Sequence, residues 1–391
     1  MPTSRIGALP ELPDSCVLSS IHLPERGKAS APASLDVHVP RRLRIEFFGT
    51  GGEYFRIWIV NIVLSVLTLG IYSAWAKVRN KQYFYGSSRL DGAGFEYTAN
   101  PVNILKGRLL VVGVLVVYQL LATFVPVLGS LIVLGFVLIL PWIVVQALAF
   151  NARYSSHRGL RFHFDGRYPE AFRYYLLWTA FAIFSGGLAY PYAVYLRKRF
   201  ILSKSRYGAS GFRFGAPAGY FYVVYVIAVI ALVGLGLVVA LIGGGIVFLG
   251  GASAAAEAGS DSADPETVQL VMMAAAAWYL SFLALIFAVF SVVQTALTNH
   301  IWRHAELARI RFYMGMNPMR VLWIQLSNIA LIVASAGLFI PWAKVRITRY
   351  RLSCFRVLSS EPLDNLAAGE RARVTATGEE FGEALDLDLG L

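Results

Sequence analysis

Charged residues are scarce in this sequence, and their scarcity argues against an ordinary soluble domain. Asp, Glu, Lys and Arg make up 15% of the 391 residues, whereas hydrophobic residues make up 57%; soluble domains carry roughly 25% charge. Lys and Arg are absent between Arg108 and Arg153 and between Arg213 and Arg303. Each interval is long enough for two membrane-spanning helices of about 20 residues. The composition therefore predicts a polytopic membrane protein.

Cysteine and catalytic motifs are also nearly missing. Cys16 and Cys354 are the two cysteines, so we expect neither a structural disulfide nor a cysteine-based metal site. The sequence contains no nucleotide-binding loop and no nucleophile motif. His300 and His304 share a helix face near Glu306, which suits a metal but equally suits residues at a membrane surface. We predict no catalytic residue, no metal and no cofactor, and hence a protein that is not an enzyme.

Ionisable residues are missing from the apolar segments themselves. Ion-coupled pumps usually need such a group inside the membrane, so its absence argues against active transport. The polar residues that remain there are neutral. They are predicted either to hold helices together by hydrogen bonds or to line a narrow polar path. They are Asn61, Gln119, Gln146, Gln294, Gln325 and Asn328, of which Asn61, Gln146, Gln294 and Asn328 are the candidate site residues.

A pattern that occurs three times is the most informative feature that is present. In each copy an apolar helix ends on a glycine, an aromatic residue follows five positions later, and a basic cluster comes next. The copies contain Gly70 and Trp75–Arg79, Gly187 and Tyr192–Arg199, and Gly337 and Trp342–Arg346. Internal repetition of this kind indicates a fold that is built from repeated units. We call each copy a module.

Long apolar hairpins separate the three modules and divide the chain into units. The hairpins end alike, with Gln146 and Asn151 five residues apart in the first, and Gln294 and Asn299 five apart in the second. The predicted order is module–hairpin, module–hairpin, module. The predicted domains are a disordered N-terminal tail (1–42), repeat unit 1 (43–151), repeat unit 2 (152–299), repeat unit 3 with a module only (300–357) and an acidic disordered C-terminal tail (358–391).

Basic residues on both sides of each module leave two topologies open. The second module has Arg167 and Arg173 before it and Arg197–Arg199 after it. Because basic loops stay in the cytoplasm, a module that turns back, re-entrant or interfacial, keeps both flanks on one side. Gly186 and Gly187 can break the helix for such a turn. The alternative is seven plain spans with an imperfect charge bias.

Short segments that alternate between apolar and polar residues flank every module. Alternation with period two and many aromatic residues is typical of strands. The fold class predicted is therefore an α-helical polytopic membrane protein with internal repeats, transmembrane hairpins and short cytoplasmic β-strands that pair into a small sheet. The predicted strands are Leu43–Phe47, Gly94–Tyr97, Leu160–Phe164, Gly211–Phe214, Arg309–Phe312 and Tyr350–Phe355.

The aromatic and basic residues that close the modules are typical of interfacial anchors. Long basic side chains reach the membrane surface and attract anionic lipid headgroups. The predicted anchors are Trp75, Lys77, Arg79, Arg197, Lys198, Arg199, Trp342, Lys344 and Arg346. The net charge of +12 is spread over short loops, so we expect no nucleic-acid partner. The acidic C-terminal tail is predicted to be cytoplasmic and to dock on the basic loops or on a protein partner.

The first module also carries a resemblance to a known family. Phe48–Asn61 and Leu67–Arg79, followed by Phe95-Glu96-Tyr97, resemble the signature of the YjgN-like family of bacterial inner-membrane proteins, which is classed as a domain of unknown function. The resemblance covers residues 43–357. It implies a multi-pass protein of the bacterial inner membrane and supplies no established activity.

Two functional hypotheses follow from these features. Broken helices and neutral intramembrane amides favour passive or facilitated passage of a small solute or lipid through the core. The alternative is a structural or regulatory membrane scaffold that binds anionic lipids and protein partners. A continuous polar cavity that reaches both sides would favour passage, and a dry, packed bundle would favour the scaffold.

Overall fold

The computed structural model describes residues 41–124, 126–258 and 265–376, in which short strands are joined by pairs of helices. Along a strand such as β9, buried Ile310 is followed by exposed Arg311, the alternation expected of a segment with one face on a core. The strands are β1 (Arg41–Phe47), β2 (Ser88–Leu90), β3 (Ala93–Tyr97), β4 (Ser155–His157), β5 (Leu160–Phe164), β6 (Ser205–Tyr207), β7 (Ser210–Phe214), β8 (Ala305–Leu307), β9 (Ile310–Met314) and β10 (Phe355–Ser359).

The strands close into a barrel in which each strand pairs antiparallel with its neighbours in the chain. The first and last strands complete the ring, because Leu43 of β1 lies opposite Val357 of β10 and Ile45 lies opposite Leu90 of β2. Closure gives every strand two partners and removes the exposed edges of a sheet. The core inside the ring includes the buried side chains of Leu90, Leu307, Ile310 and Val357.

The predicted fold class is therefore wrong, since an α-helical protein with accessory strands does not contain a closed barrel. In the described part of the chain, ten strands form that barrel. The prediction failed because four strands, such as Ser88–Leu90, have three residues and are too short to show a period. Ring closure also joins segments some 300 residues apart, which no local pattern encodes. Tyr350–Phe355, predicted as a strand, is largely helical, because the helix before β10 ends at Ser353.

One end of the barrel is built from tight turns, and we call it the turn end. The turns join β2 to β3, β4 to β5, β6 to β7 and β8 to β9. In the first of them Asp91 and Gly92 have φ of 52° and 80°, and in the second Arg158 and Gly159 have φ of 53° and 76°. Two successive positive φ angles match the twist of a two-residue hairpin.

The opposite end, which we call the helix end, carries the modules and the hairpins. Successive connections in an antiparallel ring alternate between its ends, so every helix pair leaves from this end and returns to it. The pairs are module 1, α1 (Gly51–Leu67) and α2 (Ser73–Gly86); hairpin 1, α3 (Pro101–Phe124) and α4 (Pro126–Arg153); module 2, α5 (Tyr168–Ala171), a π-helical turn (Phe172–Leu177), α6 (Trp178–Phe184) and α7 (Tyr190–Ser203); hairpin 2, α8 (Gly219–Ala258) and α9 (Pro265–Arg303); and module 3, α10 (Pro318–Ala334) and α11 (Ile340–Ser353).

Each module turns back on itself at its tip. In the first, the chain reverses at Leu69 and Gly70, whose φ angles are 50° and 91°. The strands on either side of the module are paired, with Phe47 opposite Ser88. Both flanks of the module therefore lie side by side at the helix end. This geometry favours the turned-back arrangement over a plain span.

The hairpins are longer and more apolar than the modules. Four helices of the described chain are long and apolar enough to cross a membrane, namely Pro101–Phe124, Gly129–Arg153, Gly219–Ala252 and Val268–Arg303. At most 11% of the residues in the most apolar stretch of each helix are buried within the protein. An exposed apolar surface of that extent is typical of contact with lipid.

The chain beyond the barrel folds back as one more helix. The prediction of a disordered C-terminal tail from residue 358 is wrong as far as residue 376, because β10 extends to Ser359 and α12 spans Leu363–Ala376. Its apolar positions Leu363 and Ala367 are buried, which the acidic composition of the tail did not reveal. The rest of that tail, and residues 1–40 of the predicted N-terminal tail, lie outside the described residues; Arg41 and Arg42 belong to β1.

Candidate functional site

The interior of the barrel contains a cavity of about 710 Å³, which we call the lumen. Ligand pockets in proteins have volumes of roughly 300–1,000 Å³. Successive side chains of a strand point to opposite faces, so every second side chain of each strand lines the lumen. Its lining is mainly apolar and aromatic and includes Ile45, Leu90, Phe95, Phe162, Tyr207, Phe212, Leu307, Ile310, Phe312, Phe355 and Val357.

Helix α12 closes the lumen at the turn end. Leu363 and Leu366 line the cavity from this side, and Leu363 packs with Leu90, Leu307 and Ile310. Burying a leucine side chain contributes about 1.5–3 kcal/mol. The helix is therefore part of the wall of the lumen.

Polar contacts hold α12 to the turns around this mouth. The buried carboxylate of Glu370 accepts hydrogen bonds from the backbone N–H of Ala209 at 2.9 Å and from the Ser210 hydroxyl at 2.6 Å. Gly208 permits this approach, since a Cβ at that position would lie 3.1 Å from the Cβ of Glu370. Just before the helix, Glu361 forms an ion pair with Arg309 in the turn between β8 and β9.

Arg158 ties the remaining two turns to the same helix. Its guanidinium lies 3.1 Å from a carboxylate oxygen of Asp91 and also forms an ion pair with Asp364 of α12. The Arg158 side chain is only 9% exposed, so its charge depends on these two carboxylates for compensation. Every tight turn of the barrel is thus linked to the C-terminal segment, directly or through Arg158.

His157 is a buried polar residue in the wall of the lumen. Its side chain is 5% exposed, its ring centroid lies 4.5 Å from that of Phe95, and its Nε2 has no hydrogen-bond partner among the described residues. Burial, and to a lesser degree the positive charge of Arg158, lowers the pKa of His157 to about 4, although the carbonyls of Leu90 and Ala93 oppose the change. The imidazole is therefore neutral near pH 7.

The mouth at the helix end has a different lining. Tyr85 of α2, Asn151 of α4, and Thr348 and Arg351 of α11 supply polar side chains there. Lys81 of α2 donates a hydrogen bond to the side chain of Asn151. In the described ranges this mouth faces the bases of the five helix pairs.

The predicted anchor residues lie on the returning helices α2, α7 and α11, in equivalent places. Arg197 is half-buried, with its guanidinium 5.9 Å from the ring of Tyr175. Arg346 donates a hydrogen bond to Ser327. Trp75 is half-buried and Trp342 is exposed, although the Trp342 ring lies 5.0 Å from that of Phe55 in module 1. The exposed basic anchors are Lys77, Arg79, Lys198, Arg199 and Lys344.

The four neutral polar residues fall into two pairs. Asn61 and Asn328 are buried and join the two arms of their modules, Asn61 to Asn80 at 3.2 Å and Asn328 to the carbonyl of Ala343 at 3.3 Å. Gln146 and Gln294 are exposed on α4 and α9. No hydrogen bond within the described ranges joins one of the four to another. The contacts of the two asparagines are those of helix packing.

The two histidines predicted as possible metal ligands lie together at the end of α9, with ring centroids 4.3 Å apart, but Glu306 does not join them. Helix α9 ends at Arg303, and Glu306 lies in β8, where it forms an ion pair with Arg311 at 3.2 Å. His300 stacks on Tyr220, with ring centroids 3.8 Å apart. In residues 41–124, 126–258 and 265–376, no three His, Cys, Asp or Glu side chains come together in a way that suits a metal.

The lumen, His157 as its polar group and Glu370 as a fastening of α12 were not found from the sequence. One signal was available: Asp91-Gly92 and Arg158-Gly159 each come directly before a short segment rich in aromatic residues, where a two-residue turn could join it to a preceding strand. Two such hairpins would have placed His157 beside a turn and on a paired strand. The closure that makes its surroundings a lumen would still have been missing.

Comparison with known proteins supports the resemblance seen in module 1. A family model described as a bacterial protein of unknown function (DUF898) matches residues 42–384. Inner membrane protein YjgN of Escherichia coli O157:H7 is 33% identical over 122 residues, which are 30% of this chain and 30% of that protein. Its counterpart in Salmonella typhimurium is 33% identical over 129 residues, 33% of each chain. These alignments span about a third of the relatives' length, and no solved structure matches the chain.

Proposed function

The chain belongs to the DUF898 family of bacterial proteins of unknown function, and from that premise we propose that it is an inner-membrane protein that takes a lipid-like molecule into its lumen. The observation that carries the proposal is the cavity of about 710 Å³ with an apolar, aromatic lining. Such a lining favours hydrocarbon over a hydrated solute. Of a small solute and a lipid, the lipid therefore suits this chemistry better.

The location proposed rests on the relatives and on the apolar surface. The relatives are named inner membrane proteins, and four helices have the length and composition of spans. The module tips are apolar and uncovered: Leu69 is 94% exposed, Phe184 87% and Val333 74%. We propose that these tips enter the bilayer from the membrane face on which the barrel lies and turn back within the bilayer. Uncovered apolar tips on broken helices favour lipid over water.

The orientation proposed places the barrel and the C-terminus in the cytoplasm. The returning helices that lead back to the barrel carry basic residues such as Lys77, Arg79 and Lys198, whereas the connection between α8 and α9 contains Asp261 and Asp264 and no Lys or Arg. Basic loops favour the cytoplasmic side. The exposed basic anchors would then lie at the surface of the inner leaflet, which supports anionic lipids as partners.

Passage is proposed between the bilayer and the lumen through the mouth at the helix end. The bases of the helix pairs surround that mouth, with Tyr85, Asn151 and Thr348 in its lining. A lipid that leaves the bilayer between these helices reaches the apolar lumen without crossing open water. The mouth at the turn end is closed by α12, so facilitated exchange with the membrane fits the geometry better than an open pore.

Internal repetition is a further part of the proposal. In module 1 the backbone N–H of Thr50 donates to the Tyr83 hydroxyl at 2.8 Å, and in module 3 that of Asn317 donates to the Tyr350 hydroxyl at 3.0 Å. Asn61 and Asn328 likewise occupy corresponding positions. Such contacts support an origin by duplication, and the predicted unit boundaries remain a prediction.

The experiment is photolabelling with a neutral 14-carbon alkyl diazirine, in vesicles that contain the protein, followed by peptide mapping. We expect label on the lumen strands β9 and β10 as well as on the lipid-facing helices. Ala152→Trp, which places an indole at the lumen wall near the end of α4, should reduce label on the strands several-fold. Ala147→Trp, on the exposed surface of the same helix, is the matched control. Strands without label in the unsubstituted protein would refute lumen binding.

A further inference from the structure

Arginines collect on the outer face of the barrel where β1, β10 and β9 lie side by side. The inward positions of these strands, such as Val357 and Phe312, line the lumen, so the alternate positions point outward. Strand pairing places the outward residues in two rows, one nearer the turn end and one nearer the helix end. We call these six residues the arginine patch, and the rows are Arg42–Leu358–Arg311 and Arg44–Arg356–Tyr313.

The arginine patch carries more positive charge than its surroundings compensate. Arg44 lies directly opposite Arg356, and like charges in that arrangement are destabilising. Arg356 donates hydrogen bonds to two backbone carbonyls of its own segment, which have no formal charge. The ion pair between Arg311 and Glu306, at 3.2 Å, brings one carboxylate to a patch of four arginines. The patch therefore favours an anionic partner.

Apolar and aromatic side chains lie among these charges. Leu358 is partly exposed and lies between Arg42 and Arg311 in its row. At the other end of the patch, the guanidinium of Arg303 lies 4.8 Å from the centre of the Tyr313 ring. A partner that fits this surface has carboxylates for the arginines and apolar side chains for the leucine.

The chain itself contains a segment with this chemistry. Residues 377–391 lie outside the described part of the chain, and their sequence includes five carboxylates and no Lys or Arg. Two of the carboxylates, Asp386 and Asp388, alternate with leucines at positions 385, 387 and 389. An extended chain of this length spans up to about 50 Å, whereas α12, which lies across the turn end, is about 21 Å long. The segment is thus long enough to reach the patch from the end of α12.

We propose that the acidic segment 377–391 docks on the arginine patch, with Asp386 and Asp388 beside the arginines and a neighbouring leucine on Leu358. The closed ring has no free strand edge, so side chains carry the recognition. Single exposed ion pairs contribute little, but several act together here, and the tether raises the local concentration of the segment to the millimolar range. The inference is independent of lumen binding.

Disulfide formation under mild oxidation in detergent tests the contact. Leu389→Cys is combined with Leu358→Cys in the patch or, as the matched control, with His163→Cys on the outer face of β5, across the ring from β10. The background carries Cys16→Ser and Cys354→Ala. Because Glu370 fastens α12 to the turn between β6 and β7, a segment that moved freely would meet β5 at least as often as β10. We expect the patch pair to form its disulfide several-fold faster than the control pair.

Reversal of charge tests the ion pairs. Arg42→Glu together with Arg44→Glu should slow the patch pair to the rate of the control pair. Asp386→Lys together with Asp388→Lys, added to that variant, should restore the faster rate and would show that the reversed barrel still folds. High salt should slow the reaction in the unsubstituted patch, because exposed charges are screened.

Three results would overturn the inference. Equal rates for the two cysteine pairs would mean that the segment has no preferred site on the barrel. Disulfides that join two chains, seen as a dimer on a non-reducing gel, would assign the patch to the segment of a second copy. A patch disulfide that forms in phosphatidylcholine vesicles and is lost in phosphatidylglycerol vesicles would assign the patch to the membrane surface.

Discussion

The two mouths of the barrel differ in how they are closed. At the turn end, α12 covers the lumen with Leu363 and Leu366, and Glu370 and Arg158 fasten it to the turns. At the helix end, polar side chains such as Thr348 and Arg351 line the mouth. One mouth is thus closed by apolar burial with satisfied polar contacts, and the other is bordered by groups that tolerate water.

This difference indicates a direction of entry. Burial of leucines and a hydrogen-bonded carboxylate stabilises the fold, so the turn end is a structural closure. Side chains such as Thr348, for which the described chain offers no hydrogen bond, add little to stability. We infer that ligands enter from the helix end, next to the membrane, and that the turn end must remain closed for the barrel to be stable.

Removal of α12 should have the largest effect. Deletion of residues 361–391 exposes the lumen and loses the burial of Leu363 and Leu366, so we expect a loss of roughly 3–5 kcal/mol of unfolding free energy. Denaturant unfolding in detergent measures it. Deletion of residues 377–391 alone keeps α12 and is the matched control. Equal stability of the two truncated proteins would contradict a structural role for the closure.

Acid should weaken the turn end through His157. Its folded-state pKa of about 4 lies below the ordinary value of 6.5, so between these values the unfolded chain binds the proton more tightly. Stability should therefore be fully present above pH 6.5 and fall toward pH 4, by about 3 kcal/mol for this group. The measurement is the stability difference between the unsubstituted protein and His157→Gln at several pH values. A difference that does not change with pH would refute the buried neutral state.

Loss of the Glu370 carboxylate should have a moderate effect on the same mouth. Glu370→Ala leaves the N–H of Ala209 and the hydroxyl of Ser210 without this acceptor, which costs about 1–3 kcal/mol. Glu370→Gln keeps an acceptor oxygen and should lose less. Unfolding free energies and hydrogen exchange at Ala209 report the change. Identical values for the two variants would argue against the hydrogen bonds as the cause.

Most of the structure at the helix end can be predicted from the sequence. The long uncharged intervals predicted the hairpins, since spans need about 20 apolar residues, and the helix-breaking glycines predicted the tips of the modules. Gly70 and Gly337 indeed have φ near 90°. These are local signals, because a helix forms its hydrogen bonds within one segment.

The structure of the turn end cannot be predicted from the sequence, because it depends on contacts between distant segments. A strand such as Ser155–His157 acquires its partners from β3 and β5, and the ring depends on pairing between β1 and β10 at the two ends of the described chain. Burial of His157 and Glu370 follows from that closure. Nothing in their local sequence distinguishes them from exposed polar residues, which is why the sequence predicts a disordered tail for the acidic C-terminal segment.

The smallest effect on the unfolding free energy is expected at the helix end. It is the most direct test of the difference between the two mouths. Thr348 lines the lumen at the helix end, and the structure gives its hydroxyl no hydrogen bond with the described chain. Thr348→Val keeps the shape and removes the hydroxyl, so the unfolding free energy should change by about 0.5 kcal/mol or less. Denaturant unfolding of Thr348→Val and Glu370→Ala under the same conditions compares the two changes in unfolding free energy directly. A loss as large as that of Glu370→Ala would mean that polar contacts hold both mouths alike, and the inferred direction of entry would have no structural basis.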